Sequence, residues 1–396
     1  MSVNTYVVLS GQSIVVPTID NLRTVSRSSA FTPVHETVEV MEAELSAKER
    51  NDLRRDPRIR AIAPPMPLKL IEPVEKKDID ASLFAAATWG VQAVSAPLSS
   101  FDGSGITVAV LDTGIDPSHP SFRQVNLIQK NFTSEEDNDT HGHGTHCAGT
   151  IFGNDVDGMR IGLAKGVRRA LIGKVLGQGG GSSLTIARAI QWAVNEGAHV
   201  ISMSLGIDFP GFVHKLVEEY EYDIEPATSM ALEAYRANIN LFSELSAFVQ
   251  SQDYFDDGTV IVAASGNESN RPEYEIAVAP PSAGTGVIAV GALAQKSNGL
   301  DVAYFSNNQV DVSAPGVDII SAALGGGLTS MSGTSMATPH VAGVATLLAQ
   351  RQRQRSGRVE SRSLLSQLIA SGTTVPLVSG IEEEDVGTGI VQAPID

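Results

Sequence analysis

One stretch near the carboxyl end decides how this sequence is interpreted: Gly333-Thr334-Ser335-Met336-Ala337-Thr338-Pro339-His340-Val341-Ala342-Gly343. Small and hydroxyl residues form a tight turn that presents Ser335, and residues 336–350 predict an apolar helix. Pro339 is expected only in a first helical turn, where its missing N–H needs no partner, so it places the helix start close to Ser335. Such a start would stabilise negative charge beside the serine. Taken alone, Ser335 could equally be an ordinary helix cap.

Composition limits the class of protein. The chain has 396 residues and 42% hydrophobic content, enough for one large domain and a small one. A formal net charge of -17 argues against nucleic acid or an anionic membrane as a partner. No secretory signal or membrane span is evident, and the single cysteine, Cys147, suits a reducing compartment. These features predict a cytoplasmic protein.

The first 72 residues predict a small α+β domain. Its expected elements are strands at 5–9, 34–43 and 59–63 and a short helix at 47–55. The capping box Ser46-Ala47-Lys48-Glu49 opens that helix. Prolines and charged residues between 64 and 78 then predict an extended, solvated connection, and we place the domain linker at 73–84.

Residues 85–396 predict an α/β domain with a parallel sheet covered by helices on both faces. Apolar strands are expected at 106–111, 169–176, 200–205, 259–264 and 287–293, with an amphipathic helix at 183–196. The first of these strands ends at Asp112. Open parallel sheets place their sites at the carboxyl ends of strands, although an Asx turn is the simpler role for this aspartate.

A histidine-rich segment follows, Asp139-Thr140-His141-Gly142-His143-Gly144-Thr145-His146-Cys147. Three histidines suggest a metal site, but His143 and His146 lack the intervening Glu of a zinc-binding helix. Together with Asp112 and Ser335, a helix-opening histidine makes a nucleophilic triad. A serine hydroxyl needs a nearby base to take its proton, and that base needs a third group to orient it. Asp112 is therefore the predicted orienting group, His143 the base and Ser335 the nucleophile.

Three blocks of this sequence resemble the signature segments of subtilisin-like serine peptidases. They are Asp112-Thr113-Gly114-Ile115-Asp116, His143-Gly144-Thr145-His146-Cys147-Ala148-Gly149-Thr150 and Gly333-Thr334-Ser335-Met336-Ala337-Thr338-Pro339-His340. The order Asp, His, Ser is that of subtilisin itself. The resemblance extends from about residue 89 to 389, and it selects His143 as the base over His141 and His146. It also implies that the N-terminal domain is an inhibitory propeptide, a partner supplied by the chain itself.

The resemblance also implies a substrate cleft. Asn267 matches the side-chain donor of the oxyanion hole, next to the backbone N–H of Ser335. Further residues match the walls that bind an extended peptide: Ser204, Leu205 and Gly206 at the S1 wall, Gly179 and Gly180 near S4, and Ala264, Ser265 and Gly266 before Asn267. Peptide substrates would pair with these strand edges through main-chain hydrogen bonds.

Two features have open interpretations. No cofactor is expected for the chemistry, but subtilases often carry structural calcium, and Asp155 and Asp157 are candidate ligands if they are not merely a solvated turn. Cys147 is either a small buried residue or a redox switch.

An insertion at 208–257 interrupts the resemblance. It predicts helices at 214–222 and 227–250, the second with Tyr235, Ile239, Phe242 and Val249 on one face. It could simply extend the core. Alternatively it is a gate beside the cleft, whose acidic residues favour basic substrates: Glu218, Glu219, Glu221 and Asp223.

The sequence thus predicts a serine endopeptidase that acts through an acyl-enzyme on Ser335 and is made as a self-inhibited zymogen. One alternative is a processing enzyme that transfers its acyl group to an amine. The alternative of another class is an inactive peptide-binding scaffold.

Overall fold

The computed structural model describes residues 4–15, 34–78, 86–254 and 257–395. Its strands are β1 (Asn4–Val15), β2 (Val34–Leu45), β3 (Ile59–Ala63), β4 (Pro67–Leu70), β5 (Glu75–Asp78), β6 (Thr107–Asp112), β7 (Asn126–Asn131), β8 (Arg169–Lys174), β9 (Gly181–Ser182), β10 (Val200–Met203), β11 (Leu205–Ile207), β12 (Val260–Ala264), β13 (Val287–Lys296), β14 (Gly299–Val302), β15 (Val312–Pro315), β16 (Ile319–Ala322) and β17 (Leu328–Ser332). Its helices are α1 (Ala47–Leu53), α2 (Trp89–Ala93), α3 (His143–Phe152), α4 (Ser183–Asn195), α5 (Phe209–Glu218), α6 (Ile224–Ser251), α7 (Thr334–Ser356), α8 (Ser361–Ala370) and α9 (Glu383–Val386).

The main sheet has the strand order β14-β13-β12-β10-β6-β8-β7, with β15 also paired to β13. All its pairings are parallel except that of β13 with β14. Alternate residues of β6 enter different apolar clusters. Val108 and Val110 pack in the cluster that includes residues of α3 and α7, whereas Ala109 and Leu111 pack in the cluster that includes residues of α4 and α6. Helices therefore cover both faces, and the predicted α/β class is confirmed.

The N-terminal unit is a three-stranded antiparallel sheet with the order β2-β1-β3. The structure contains the predicted capping box, because Ser46 accepts from the N–H of Glu49 while the Glu49 carboxylate accepts from the N–H of Ser46. β1 and β2 are longer than the sequence suggested. Residues 16–33 lie outside the described part of the chain.

The solvated connection predicted at 64–78 is wrong for much of its length. β4 pairs antiparallel with both β11 and β9, and β5 pairs with β17. Met66, Leu68 and Ile71 are buried. The physical reason is that the α/β part of the chain offers unpaired strand edges, and an extended proline-containing segment can satisfy them by adding a strand. Residues 79–84, the rest of the predicted linker, lie outside the described residues, as does residue 85.

Both helices of the insertion begin earlier than predicted. α5 starts after Asp208, whose carboxylate accepts from the N–H of Gly211 at 3.2 Å, and Pro210 occupies its first turn. Asp208 and Pro210 therefore marked the start of this helix in the sequence, but the prediction used only the spacing of apolar residues. In α6, Phe242 and Val249 are buried, while Tyr235 and Ile239 are half-buried. α6 packs against α4, α5 and the N-terminal strand β3.

Candidate active site

Asp112 and His143 form a buried pair. Asp112 ends β6, and His143 is the first residue of α3, which packs on that strand. Nδ1 of His143 lies 2.7 Å from Oδ1 of Asp112. Burial alone would lower the pKa of His143, but the charge of Asp112 outweighs it, and the pKa is raised well above its ordinary value near 6.5. The carboxylate can thus hold the imidazole in one orientation and stabilise its charged form.

The start of α3 is fixed by Asp139, a residue that motif matching did not single out. Its Oδ1 accepts from the N–H groups of His141 and Gly142 at 2.9 Å each, and its Oδ2 accepts from the N–H of Thr145 at 3.0 Å. The carboxylate thus accepts from donors before and inside the first turn of the helix, although the cap residue itself is Gly142. Asp139 thereby fixes the backbone that carries His143.

Gly144 lets α3 approach the end of β6 closely. A Cβ at this position would lie 2.2 Å from the backbone oxygen of Gly114 and 3.2 Å from Cβ of Asp112. Any side chain here would push the helix away from the strand. A glycine at position 144 is therefore needed for His143 to come within hydrogen-bond distance of Asp112.

Ser335 lies in the first turn of α7, after Gly333 as the cap residue. Pro339 belongs to the second turn, so the prediction that it must lie in the first is wrong. Its missing N–H leaves the backbone oxygen of Ser335 without its usual helical donor. That oxygen instead accepts from Oγ of Ser204 at 3.2 Å and from Sγ of Cys147 at 3.4 Å. The proline is tolerated because residues remote in sequence replace the lost hydrogen bond.

Cys147 connects the histidine and serine helices. Besides its contact with Ser335, its Sγ lies 3.9 Å from Nδ1 of His143. Burial raises the pKa of the thiol, so it stays protonated at neutral pH. This environment agrees with the small buried residue rather than with a reactive thiolate.

Asn267 follows β12 and is held by the serine turn. Its Oδ1 accepts from the N–H and the hydroxyl of Thr334, each at 2.9 Å. These bonds fix which end of the amide faces the cleft, and Nδ2 donates to the backbone oxygen of Glu72 at 2.9 Å. Asn267 is therefore a donor aimed at a peptide carbonyl beside Ser335.

Comparison with known proteins agrees with this arrangement. Residues 103–384 match the model of the subtilase family, peptidase S8. The chain belongs to the subtilase family. It is 31% identical over 345 residues to the thermostable alkaline protease of Halalkalibacterium halodurans, covering 85% of this chain and 80% of that protein. It is 33% identical to the major intracellular serine protease of Bacillus subtilis over 302 residues (73% and 82%). It is also 33% identical to subtilisin Savinase of Lederbergia lenta over 306 residues (76% and 98%). The chain is thus a hydrolase of the subtilase type.

In this subtilase the cleft is occupied by the chain's own residues 67–72. Leu70 pairs with Leu205 and Lys69 with Gly206, and Leu68 pairs with Gly181 on the opposite side. Leu68 is buried in the apolar cluster that also contains residues of α4 and α6. Oγ of Ser335 donates to the backbone oxygen of Ile71 at 2.9 Å. An extended segment therefore runs between two strand edges and places a carbonyl at the serine.

Gly180 allows the segment to lie close to one wall of the cleft, because a Cβ there would lie 2.5 Å from the backbone oxygen of Leu68. A Cβ on Gly206 would make only an ordinary contact, 3.6 Å from Cδ1 of Ile71. Gly179 has open space around it. Of the segment before Asn267, Ala264 ends β12 and its oxygen accepts from Ser282 at 2.9 Å, and Gly266 donates its N–H to Oγ1 of Thr334 at 3.3 Å. Ser265 is buried beside them.

Neither His141 nor His146 belongs to a cluster of metal ligands among the residues that the structure describes. His146 is buried with Nε2 at 2.9 Å from the backbone oxygen of Ile319, and burial lowers its pKa to about 3. His141 lies at the surface, 3.4 Å from Glu72. Among the residues described, one group of potential metal ligands is close enough to hold an ion, and it consists of Asp112, His143 and Cys147. Those side chains are already assigned to the triad region.

The calcium candidates do not fit a calcium ion. Asp155 pairs with the ammonium group of Lys165 at 2.7 Å, so a cation of the chain already neutralises it. Asp157 is in a left-handed turn with φ 50°. Within the described residues, neither carboxylate belongs to a group of three or more acidic, His or Cys side chains close enough to share an ion. We therefore assign no step and no structural role to a metal.

Proposed function

We propose that this subtilase is a serine endopeptidase in which Ser335 attacks a peptide carbonyl. The observation that carries the proposal is the hydroxyl of Ser335 at 2.9 Å from the carbonyl oxygen of a strand-paired peptide segment. Cys147, which contacts both the backbone oxygen of Ser335 and Nδ1 of His143, links this serine to the Asp112–His143 pair. No described helix is long and apolar enough to cross a bilayer.

Each side chain has one chemical task in this proposal. His143 takes the proton of Ser335 at Nε2, which makes no hydrogen bond within the described part of the chain and is free to accept. Asp112 keeps the other ring nitrogen protonated and stabilises the imidazolium. Asn267 and the N–H of Ser335, one of the unpaired donors of the first helical turn, stabilise the oxyanion. His143 then protonates the leaving amine, and water releases the acyl group from Ser335.

Hydrolysis and labelling test this function together. The protein is incubated with a peptide library, and product masses are measured alongside labelling of Ser335 by a fluorophosphonate. Fragments whose masses sum to the substrate plus one water support hydrolysis. Joined fragments would instead support the transfer enzyme. A protein that is neither labelled nor active would be the inactive scaffold.

Asn267→Ala is expected to lower kcat by about a hundredfold to a thousandfold, the loss known for the equivalent donor of subtilisin and not obtained from this chain. KM should change little, because the donor acts on the oxyanion more than on the bound peptide. Asn308→Ala is the matched control, since this half-buried asparagine contacts Glu275. An unchanged kcat in Asn267→Ala would remove the side chain from the oxyanion hole.

We further propose that the chain is a zymogen inhibited by its N-terminal unit. Ser335 donates its proton to the oxygen of Ile71, whereas attack requires that proton to go to His143. Asn267 donates to the oxygen of Glu72, one residue beyond the carbonyl that Ser335 contacts. Both donors are thus engaged in an arrangement that blocks substrate without completing attack.

Two helices hold the N-terminal unit over the cleft. On α6, Nδ2 of Asn238 donates to the backbone oxygen of Pro64 at 3.0 Å, and Glu233 lies 3.7 Å from Arg50. On α4, Arg188 lies 3.6 Å from Glu42. The insertion therefore extends the surface that binds the inhibitor. The acidic residues first suggested as a gate, at 218–223, are exposed on and after α5.

The first cleavage is expected in the chain itself, between Ile71 and Glu72. The oxygen that Ser335 contacts belongs to Ile71, and Lys69, two residues earlier, pairs with Gly206, so we expect the bond between Ile71 and Glu72 to break first. A new terminus at Pro73 would instead mean that the carbonyl of Glu72, which Asn267 contacts, is the one attacked. N-terminal sequencing and intact mass of purified protein should show a new terminus at Glu72, and Ser335→Ala should remain uncut. An intact Met1 in fully active enzyme would exclude release as a requirement.

An intracellular location is the last part of the proposal. It is supported by the similarity to proteins named intracellular serine proteases in Bacillus subtilis and Paenibacillus polymyxa. Fractionation of the native cells tests it, and recovery of the protein outside them would contradict it.

A further inference from the structure

The side chain of Lys69 reaches a pair of carboxylates that no triad or oxyanion role explains. Its Nζ lies 3.3 Å from Oδ1 of Asp208 and 3.3 Å from Oε1 of Glu268. Asp208 comes from the start of the insertion, and Glu268 follows the oxyanion residue Asn267. One ammonium group of the cleft segment is thus bound by two acids from elements 60 residues apart in sequence.

The strand register relates Lys69 to one position of a bound peptide substrate. With the carbonyl of Ile71 at Ser335, Lys69 is the third residue before the bond to be cleaved, the P3 position. Its backbone pairs with Gly206, the glycine that also faces the side chain of Ile71. Because alternate residues of a strand share a face, Lys69 and Ile71 project to the same side of the cleft. A substrate bound in this register would place its P3 side chain where Lys69 lies.

Both carboxylates are held in place by groups other than Lys69. Oε2 of Glu268 accepts from Nδ2 of Asn307 at 2.8 Å, and the Asp208 carboxylate caps α5 through Gly211. The contact between Glu268 and Asn307 requires a glycine at position 266, since a Cβ there would lie 2.3 Å from Oε2 of Glu268. The acidic pair is therefore built into the cleft and would persist when the segment leaves.

The charge balance of the pair favours a cation. Partial burial lowers the pKa of Lys69, but the charges of Glu268 and Asp208 outweigh it and raise the pKa above its ordinary value. Without a cation, the negative charges of Asp208 and Glu268 would remain in the cleft with no ammonium group of Lys69 to neutralise them. The side chains of Lys69, Asp208 and Glu268 keep 40%, 29% and 39% of their exposure, so solvent screens the interaction and the selectivity should be moderate.

We propose that Asp208 and Glu268 form a subsite for a basic P3 side chain, so that this enzyme selects peptides with Lys or Arg three residues before the cleaved bond. The inference rests on the proposed peptidase function and refines its substrate class. The chain's own Lys69 occupies the subsite as a substrate residue would. The competing explanation is that the ion pairs serve only to hold the N-terminal segment.

Peptides that differ only at P3 separate these explanations. For matched peptides with Lys, Gln or Glu at P3 and Leu at the two flanking positions, kcat/KM should be about tenfold higher for Lys than for Glu, as expected of two partly exposed ion pairs. In Asp208→Asn/Glu268→Gln the Lys-to-Glu ratio should fall to about one. Glu218→Gln, an exposed acid of α5, is the control and should keep the wild-type ratio. Equal rates for all three peptides in the wild type would overturn the inference, even while cleavage itself upholds the peptidase function.

Self-cleavage provides the same test if the cleft stays closed to added peptides. Lys69→Glu should slow cleavage between Ile71 and Glu72 several-fold, about the value of one or two exposed ion pairs. Combining it with Asp208→Lys and Glu268→Lys should restore the rate, whereas Lys48→Glu on α1 should not change it. A self-cleavage rate indifferent to these charges would overturn the inference. Absence of all cleavage together with absence of fluorophosphonate labelling would instead overturn the proposed function.

Discussion

Ser335→Ala is expected to lower kcat for peptide hydrolysis by about a millionfold, a magnitude known from subtilisin itself and not obtained from this chain. The variant lacks the oxygen that forms the acyl-enzyme, and no neighbour can take its place. Cys147 and Ser204 are nucleophilic side chains nearby, but both donate their protons to the backbone oxygen of Ser335, and burial raises the pKa of the Cys147 thiol. The residual rate should be the small acceleration that the oxyanion hole and binding supply without a nucleophile.

The measurement is the initial rate on a fluorogenic peptide together with the intact mass of the chain. Ser313→Ala is the matched control, because this buried serine donates to the backbone oxygen of Val386, away from the triad. The control should retain wild-type activity and processing. Substantial hydrolysis by purified Ser335→Ala would show that another group carries the chemistry.

The residues of the proposed triad lie at positions that local sequence marks. Asp112 ends an unbroken apolar run, and His143 and Ser335 open helices behind glycines. Each of these signals lies within a few residues of the group that it positions. The parallel sheet was predictable for the same reason, since its central strands β6, β10 and β12 are buried along their whole length and mainly apolar. The polar edge strand β7 carries no such signal.

The family resemblance implied an inhibitory N-terminal unit, but the residues of the segment that occupies the cleft did not predict its strand pairings. Residues 64–78 contain prolines and charges that are typical of a solvated linker, and their strand partners lie more than a hundred residues away, at Gly181–Ser182, Leu205–Ile207 and Leu328–Ser332.

The same limit applies to Pro339. Whether a proline is tolerated in the second helical turn depends on Ser204 and Cys147, which no local pattern connects to it. Long-range pairing decided both outcomes.

Asp112→Asn is expected to lower kcat by about ten-thousandfold, by analogy with the same substitution in another serine peptidase. An asparagine amide can donate to Nδ1 of His143, and this would place the ring proton on Nε2, the nitrogen that must accept the proton of Ser335. The fold should survive because the side chains are nearly identical in shape. Asp311→Asn is the control, since its carboxylate accepts from the N–H of Ala289 in the sheet and should tolerate the change.

The pH profile distinguishes this role from a merely structural one. His143 acts as a base only when neutral, so kcat/KM should fall about tenfold per pH unit below its pKa. Asp112 raises that pKa. As the pH is lowered, the activity of the wild-type enzyme should therefore begin to fall before the pH reaches the ordinary histidine value near 6.5. Removing the negative charge in Asp112→Asn lowers the pKa of His143, so the acid limb of the residual activity should move to lower pH. An acid limb at the same pH in both proteins would mean that the charge of Asp112 does not stabilise the imidazolium, and its part in catalysis would reduce to holding the ring.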